Sequence, residues 1–154
     1  MARHSFVCSS KLNCSIQTIL ATLTMKGVNQ ELGPLVRMSA PSDWRDRSIT
    51  DWPPKTPLFR SWILLFGFLP IDRHSFYFES IDPGSGFEEA SSSWMNRIWC
   101  HSRTVEGNER YVTVTDSVEY EFRLPLVGLL FLPIYKMIFS MRHRYLRRTF
   151  GESP

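Results

Sequence analysis

The segment Tyr111–Phe122, YVTVTDSVEYEF, constrains the fold most strongly because its residues alternate between two classes. Its even positions are apolar except for Asp116, and its odd positions after Tyr111 are polar. Successive side chains of a strand point to opposite faces, so the pattern predicts a strand whose even positions face a core and whose odd positions face water. Asp116 is then the one acid on an apolar face, and a buried acid needs a partner.

The chain before this strand predicts the partner. Residues 86–105 predict one bent strand or two short ones, and Glu106–Glu109 predicts a hairpin turn. With Gly107-Asn108 as a two-residue turn, Trp99 lies opposite Asp116. The inward positions of the partner strand are then Met95, Arg97, Trp99, His101 and Arg103. Arg97 and His101 become diagonal neighbours of Asp116, within reach of long side chains, although a slip of one residue would move the whole set to the other face.

The remaining segments predict an α+β protein. Residues 3–12 favour a first strand, residues 15–24 and 28–32 favour two short helices, and the segments 59–71 and 75–81 favour further strands. A terminal helix is predicted over Ile134–Phe150, after Pro133. Its polar face would consist of Lys136, Ser140, His143, Arg144 and Arg147. We expect one domain over residues 1–154.

The charge distribution bears on partners. The net charge is +3, from 18 Lys and Arg against 15 Asp and Glu. From Lys136 onward there are five basic residues and one acid, so the basicity belongs to one terminal segment and argues against a nucleic-acid partner. A solvated helix end is the favoured interpretation. The apolar neighbour Leu124–Tyr135 keeps contact with an anionic membrane surface open.

The number and spacing of the cysteine and histidine residues argue against disulfide bonds and metal sites. Cys8, Cys14 and Cys100 form no C-x-x-C pair and the four histidines are scattered, so we expect no disulfide framework, no metal and no cofactor. The apolar runs 62–71 and 124–135 are shorter than the roughly 20 residues of a spanning helix. The first residues lack the apolar segment of a signal peptide, which predicts a cytoplasmic protein.

Several motifs together resemble a known superfamily. They are Asn29-Gln-Glu-Leu32 with Pro34, Phe59-Arg-Ser-Trp62 with LLFGFLP, Trp99-x-His101-x-Arg103-Thr104, Val114-Thr-Asp116-x-Val118, and Arg142-His-Arg-Tyr-Leu146 with Phe150-Gly151. Across about residues 3–151 the chain resembles the START-like, or SRPBCC, superfamily. Its members include Bet v 1-like proteins, and the resemblance is strongest to bacterial members related to polyketide cyclase/dehydrase and coenzyme Q-binding proteins. The resemblance implies a helix-grip fold, in which a seven-stranded antiparallel sheet wraps around a long C-terminal helix, with two short helices after strand 1 and an apolar cavity.

The resemblance also implies a function class. Such a cavity would bind a hydrophobic or amphipathic small molecule, such as a lipid, a quinone or a polyketide, without an assigned catalytic residue, in a monomer or homodimer. The candidate ligand-binding residues are Arg97, Trp99, His101, Asp116, Tyr120 and Phe78. Six aromatic residues are candidates for the cavity wall: Phe66, Phe68, Phe76, Phe78, Trp94 and Trp99.

Three alternatives stay open. A buried network that satisfies its own charges is the favoured explanation of the Arg97, His101 and Asp116 cluster. The same three residues would polarise a carbonyl in a cyclase/aromatase-type enzyme. The basic C-terminal helix would suit a peripheral membrane or interaction protein. Glu88, Glu89 and Glu79 are interpreted as solvated strand residues.

Overall fold

A curled antiparallel sheet forms most of the chain in the computed structural model, which describes residues 2–154. The strands are β1 (His4–Leu12), β2 (Val36–Met38), β3 (Arg60–Leu65), β4 (Leu69–Ser75), β5 (Phe78–Asp82), β6 (Gly86–Ser93), β7 (Asn96–Gly107) and β8 (Val112–Phe122). The helices are α1 (Ile16–Leu20), α2 (Met25–Leu32), α3 (Ser42–Arg45) and α4 (Pro125–Phe150), with a 3₁₀ turn at Ile49–Asp51.

The strand order confirms the expected helix-grip α+β fold. The sheet runs β1-β8-β7-β6-β4-β3-β2, and β5 pairs with β6 outside this path. It wraps around α4, and α1 and α2 follow β1 as expected. The sheet has eight strands instead of seven. One of them, β2, is only three residues long and pairs with β3, too short for a periodic pattern to predict.

The β7–β8 hairpin differs in register from the prediction. Gly107 pairs with Val112, so Asp116 lies opposite Arg103, and Trp99 lies opposite Tyr120. The turn is longer because the Asn108 side-chain oxygen accepts hydrogen bonds from the backbone N–H groups of the two residues before β8. The shift is an even number of residues, which preserves the faces. The even positions of β8 are therefore buried, as predicted.

A bulge at the start of β7 overturns the prediction for Arg97. The pairing with β8 shifts by one residue between Asn96 and Ile98, so Asn96 points inward and Arg97 points outward. The Arg97 side chain is half exposed and pairs with Glu121 on the outer surface. A bulge changes the alternation locally, which is why simple period-two counting placed Arg97 on the wrong face.

Helix α4 begins nine residues earlier than predicted, at Pro125. Proline is favourable at the first helical position because its missing N–H would be unpaired there in any case. Pro133 lies inside the helix. Both Pro133 and Leu129 are exposed, so water can reach the carbonyl that Pro133 leaves without a donor. The helix ends at Gly151, which has a φ of 81° and donates its N–H to the Arg147 carbonyl at 3.0 Å.

Candidate functional site

A cavity of about 420 Å³ lies between the sheet, α2 and the middle of α4. Its wall is mainly aliphatic and aromatic. Three of the six predicted aromatic residues, Phe76, Phe78 and Trp99, line it. Phe66, Phe68 and Trp94 do not and are exposed on the surface instead. The polar and charged side chains of the wall are Asp72, His74, Glu89, Asn96, His101 and Arg142.

Two histidines and a glutamate form the charged part of the wall. The Nε2 atom of His74 donates to Glu89 Oε1 at a distance of 2.5 Å, and His101 Nδ1 lies 3.6 Å from Glu89 Oε2. Glu89 and His101 are directly opposed on β6 and β7. Burial alone would raise the pKa of Glu89, but the facing imidazoles lower that pKa to about 2. Glu89 is therefore an ionised group inside the cavity wall, and its interpretation as a solvated residue is wrong. Glu88, its neighbour on β6, is the one that points to solvent.

Asp116 lies one layer behind this wall and is completely buried. Its Oδ1 accepts from His101 Nε2 at 2.8 Å and from Arg103 Nε at 2.8 Å. Its Oδ2 accepts from Arg103 at 2.7 Å and from His143 Nε2 at 2.9 Å. Burial opposes the charge, but Arg103 and the two imidazoles hold the pKa of Asp116 well below its usual range. Every acceptor direction of the carboxylate is occupied, so Asp116 is not available to a ligand.

Arg103 and Arg142 extend these contacts to the helices. Arg103 donates to both oxygens of Glu31 at the end of α2, at 2.7 and 2.9 Å. Arg142 of α4 donates to Glu31 Oε2 at 2.9 Å. His143 was expected on a solvated face of α4, yet it is buried, as is Arg142. We call the following residues the ionic cluster: Glu31, His74, Glu89, His101, Arg103, Asp116, Arg142 and His143.

Charge balance within the ionic cluster assigns a role to His101. The cluster has three carboxylates and two guanidinium groups, so one further positive charge is needed to balance it. His101 lies between Glu89 and Asp116. Burial would lower the pKa of His101, but its hydrogen bond to Asp116 and the nearby Glu89 carboxylate raise that pKa. His101 is therefore the imidazole best placed to balance the charge, because it faces two of the three carboxylates at the cavity surface.

A second polar position lies where the cavity meets α4. Asn96 Nδ2 donates to the Tyr135 hydroxyl oxygen at 2.7 Å and to Ser93 Oγ at 3.3 Å. Asn96 Oδ1 is buried and has no hydrogen-bond partner among residues 2–154. Burial raises the pKa of Tyr135, so its hydroxyl stays protonated and keeps a hydrogen to donate. Asn96 and Tyr135 both line the cavity, and the Tyr135 hydroxyl has a hydrogen to donate to a molecule there.

The six predicted ligand-binding residues are divided among three locations. Phe78, Trp99 and His101 line the cavity. Asp116 lies behind the wall, and Tyr120 is buried with its ring centroid 5.0 Å from that of Tyr135. Arg97 is on the outer surface.

Five polar wall residues were missed: Asp72, His74, Glu89, Asn96 and Arg142. His74 precedes Phe76 and Phe78 at two-residue spacing, which is the signal that could have placed it on the inner face. Arg142 follows the buried Phe139 at three-residue spacing on α4.

In the part of the chain that the structure describes, residues 2–154, no group of three or more His, Cys, Asp or Glu side chains is arranged to hold a metal ion.

The sequence matches no curated protein. It does match a family model described as a domain of unknown function, DUF8410, over residues 10–150. The chain belongs to this family.

Solved structures share the fold of this DUF8410 protein at low sequence identity. Protein Ms6760 from Mycobacterium smegmatis superposes with a TM-score of 0.67 and 8% identity, covering 94% of this chain and 89% of that one. A START superfamily protein from the same organism gives 0.55 and 9%, covering 95% and 99%. The Zhui aromatase/cyclase from Streptomyces sp. R1128 gives 0.59 and 5%, covering 96% of each chain. The fold is therefore the START-like helix-grip fold that the sequence motifs predicted.

Proposed function

We propose that this protein binds a hydrophobic or amphipathic small molecule in the cavity between the sheet and α4. The observation that carries the proposal is the cavity itself, about 420 Å³ with a mainly apolar wall and a few polar groups. Small-molecule sites of proteins are typically a few hundred cubic ångströms, apolar, with a small number of placed polar groups. The START superfamily protein and the aromatase/cyclase share this architecture, which supports the same class of ligand.

The polar groups define where the polar part of a ligand would lie. The Tyr135 hydroxyl would donate to an oxygen of the ligand, and the Asn96 side chain, which is bonded to that hydroxyl, holds it in place. An apolar body would then lie against Phe76, Phe78 and Trp99.

Cavity filling provides the test of binding. Ile63→Trp places a larger side chain on the cavity wall, and Ile98→Trp makes the same change on a strand residue outside the wall. We expect the fluorescent apolar probe anilinonaphthalene sulfonate to bind the wild type, to bind Ile63→Trp several-fold more weakly, and to bind Ile98→Trp unchanged. Native mass spectrometry of protein purified from its host should show a retained small molecule. Equal binding by both variants, with no retained species, would contradict the proposal.

One observation favours an enzymatic use of the same cavity. His74 and Glu89 form an imidazole–carboxylate pair in the wall, and such a pair can transfer protons to and from a bound substrate. A cyclase/aromatase-type reaction is therefore our second candidate. Its test is turnover of a linear poly-β-ketone by the wild type and by His74→Gln, with the unfolding midpoint of both measured. Turnover lost at an unchanged midpoint supports catalysis. No turnover by the wild type leaves binding alone as the proposed function.

A further inference from the structure

Large apolar side chains are exposed together on one part of the surface. We call these residues the apolar rim: Phe66, Phe68 and Leu69 at the β3–β4 turn, Trp94 between β6 and β7, and Leu124, Leu126, Val127, Leu129, Leu130 and Met137 at α4. Their exposed fractions reach 74% at Phe68 and 83% at Leu126. Within residues 2–154, the only other large apolar side chains with comparable exposure are Val7 and Tyr111. Contiguous apolar exposure of this kind marks an interaction site.

The segments of the apolar rim adjoin residues that line the cavity. Leu65 and Ile71 flank the β3–β4 turn, Phe131 and Ile134 follow the rim residues of α4, and all four are partly exposed lining residues of the cavity. The turn around Trp94 connects the two sides. The Trp94 N–H donates to a β4 carbonyl at 3.3 Å, and the chain just before α4 donates to the Met95 carbonyl at 2.9 Å.

At the tip of the β3–β4 turn, an exposed aromatic residue has a strained backbone conformation. Phe66 has a φ of 54°, in the left-handed region that bulky side chains rarely adopt. Glycine or asparagine would hold the same turn with less strain. Instead the position holds an aromatic ring that is 60% exposed to solvent.

The charges around the apolar rim have one sign. The stretches 63–71, 94–97 and 123–140 contain no acid, and Asp72, which directly follows the first stretch, is buried. Arg123 and Lys136 are exposed in the last of these stretches. Arg37 is exposed beside the β3–β4 turn, where a backbone N–H donates to the Leu35 carbonyl. None of the three has a carboxylate within 4.0 Å among the described residues. An apolar surface with a basic border is complementary to anionic lipid.

We infer that the apolar rim inserts into the surface of a bilayer containing anionic lipids, with the cavity opening facing the lipid. Helix α4 is long and apolar enough to cross a membrane. Its second half, however, is fixed in the ionic cluster through Arg142 and His143, so the helix lies on the bilayer with only its first half in contact. This inference goes beyond the proposed function and does not require the cavity to be occupied.

The contact keeps the apolar segment Leu124–Tyr135 that the sequence suggested and differs in its basic part. The basic C-terminal end of α4 was the candidate membrane surface, yet Arg142 is bonded to Glu31 and Arg147 to Ser10. Arg144 and Arg148 alone remain exposed at that end. The exposed apolar side chains lie at the opposite end of α4.

Vesicle flotation tests the inference on the full chain. The probe is a vesicle of phosphatidylcholine and phosphatidylglycerol, with a phosphatidylcholine vesicle alongside. We compare the wild type with Leu126→Glu/Leu130→Glu and with Phe66→Asp/Phe68→Asp, whose side chains are exposed and therefore dispensable for folding. Val7→Glu is the matched control because Val7 is 64% exposed on β1, away from the rim. We expect each double variant to lower the partition coefficient by at least about tenfold, and Val7→Glu and the wild type to bind alike.

Three results would overturn the inference. One is a wild type that does not float with the mixed vesicles. Another is an equal loss of binding in Val7→Glu. The third is light scattering that shows a concentration-dependent dimer, abolished by the rim variants, without vesicle binding, which would make a second copy the occupant of the rim. Probe binding in the cavity, measured on the same samples, shows separately whether the proposed small-molecule function holds.

Discussion

Replacement of Arg103 by methionine tests whether the ionic cluster holds the fold together. Arg103 is 1% exposed and makes four hydrogen bonds to Asp116 and Glu31, between 2.7 and 2.9 Å long. Methionine has similar length but no charge, so both carboxylates lose their main partner while buried. Removing one member of a buried ion pair costs about 3–5 kcal/mol. We expect Arg103→Met to lower the free energy of unfolding by that amount, measured by urea denaturation followed by tryptophan fluorescence.

The neighbouring Arg97 provides the control for this prediction. Arg97 is on the same strand and also pairs with a carboxylate, but its side chain is half exposed. Its partner Glu121 is buried, but Arg3 Nε also lies 3.8 Å from Glu121 Oε2, so the carboxylate keeps a cation nearby and Arg97→Met should cost clearly less than Arg103→Met. The loss in the free energy of unfolding caused by Arg103→Met should also become smaller as the pH falls, because Glu31 and Asp116 then take up protons and no longer carry an unpaired charge. Equal effects of the two variants, or a deficit that does not change with pH, would refute the reasoning.

Two further predictions concern pH and a glycine. Glu89 has its pKa lowered from 4.5 to about 2, so its stabilisation is present above pH 4.5 and lost as the pH falls towards 2. The raised pKa of His101 has the opposite sign: its stabilisation is full below pH 6.5 and lost as the pH rises through the higher folded pKa. Urea unfolding at a series of pH values should therefore give a maximum, and His101→Gln should remove the decline on its alkaline side. Gly86 has a φ of 129°, and a Cβ atom there would lie 1.9 Å from the Arg103 carbonyl oxygen. Gly86→Ala should lower the melting temperature in calorimetry by an amount equivalent to about 1–3 kcal/mol, whereas Gly84→Ala, with its nearest contact at 3.5 Å, should leave it unchanged.

Much of the fold could be predicted because its signals are local. The alternation in β8 depends only on which residues are apolar, and it identified the inner face even though the hairpin register was wrong by an even number of residues. The bulge in β7 has no such local signal. Its inward Asn96 bonds to Tyr135 on α4, and this contact exists only after the sheet has wrapped around the helix.

The candidate site was predictable only in part for the same reason. His101 and Trp99 were placed inward by alternation and do line the cavity. Glu31 and Arg142 could not be paired from the sequence, because they lie 111 positions apart and are brought together by the packing of α2 on α4. A charged residue can be buried only where a partner balances its charge. A partner so distant in the sequence leaves no pattern in the neighbouring residues.

Helix α4 is held differently along its length. Phe139, Arg142, His143 and Leu146 fix its second half against the sheet, whereas most side chains of its first half are exposed. Pro133, which cannot donate a backbone hydrogen bond, separates the two halves. The ionic cluster contacts only the second half of the helix, so a bend at Pro133 would change the width of the cavity opening without breaking a contact of the cluster. Entry of a ligand would then be separate from the contacts that keep the protein folded.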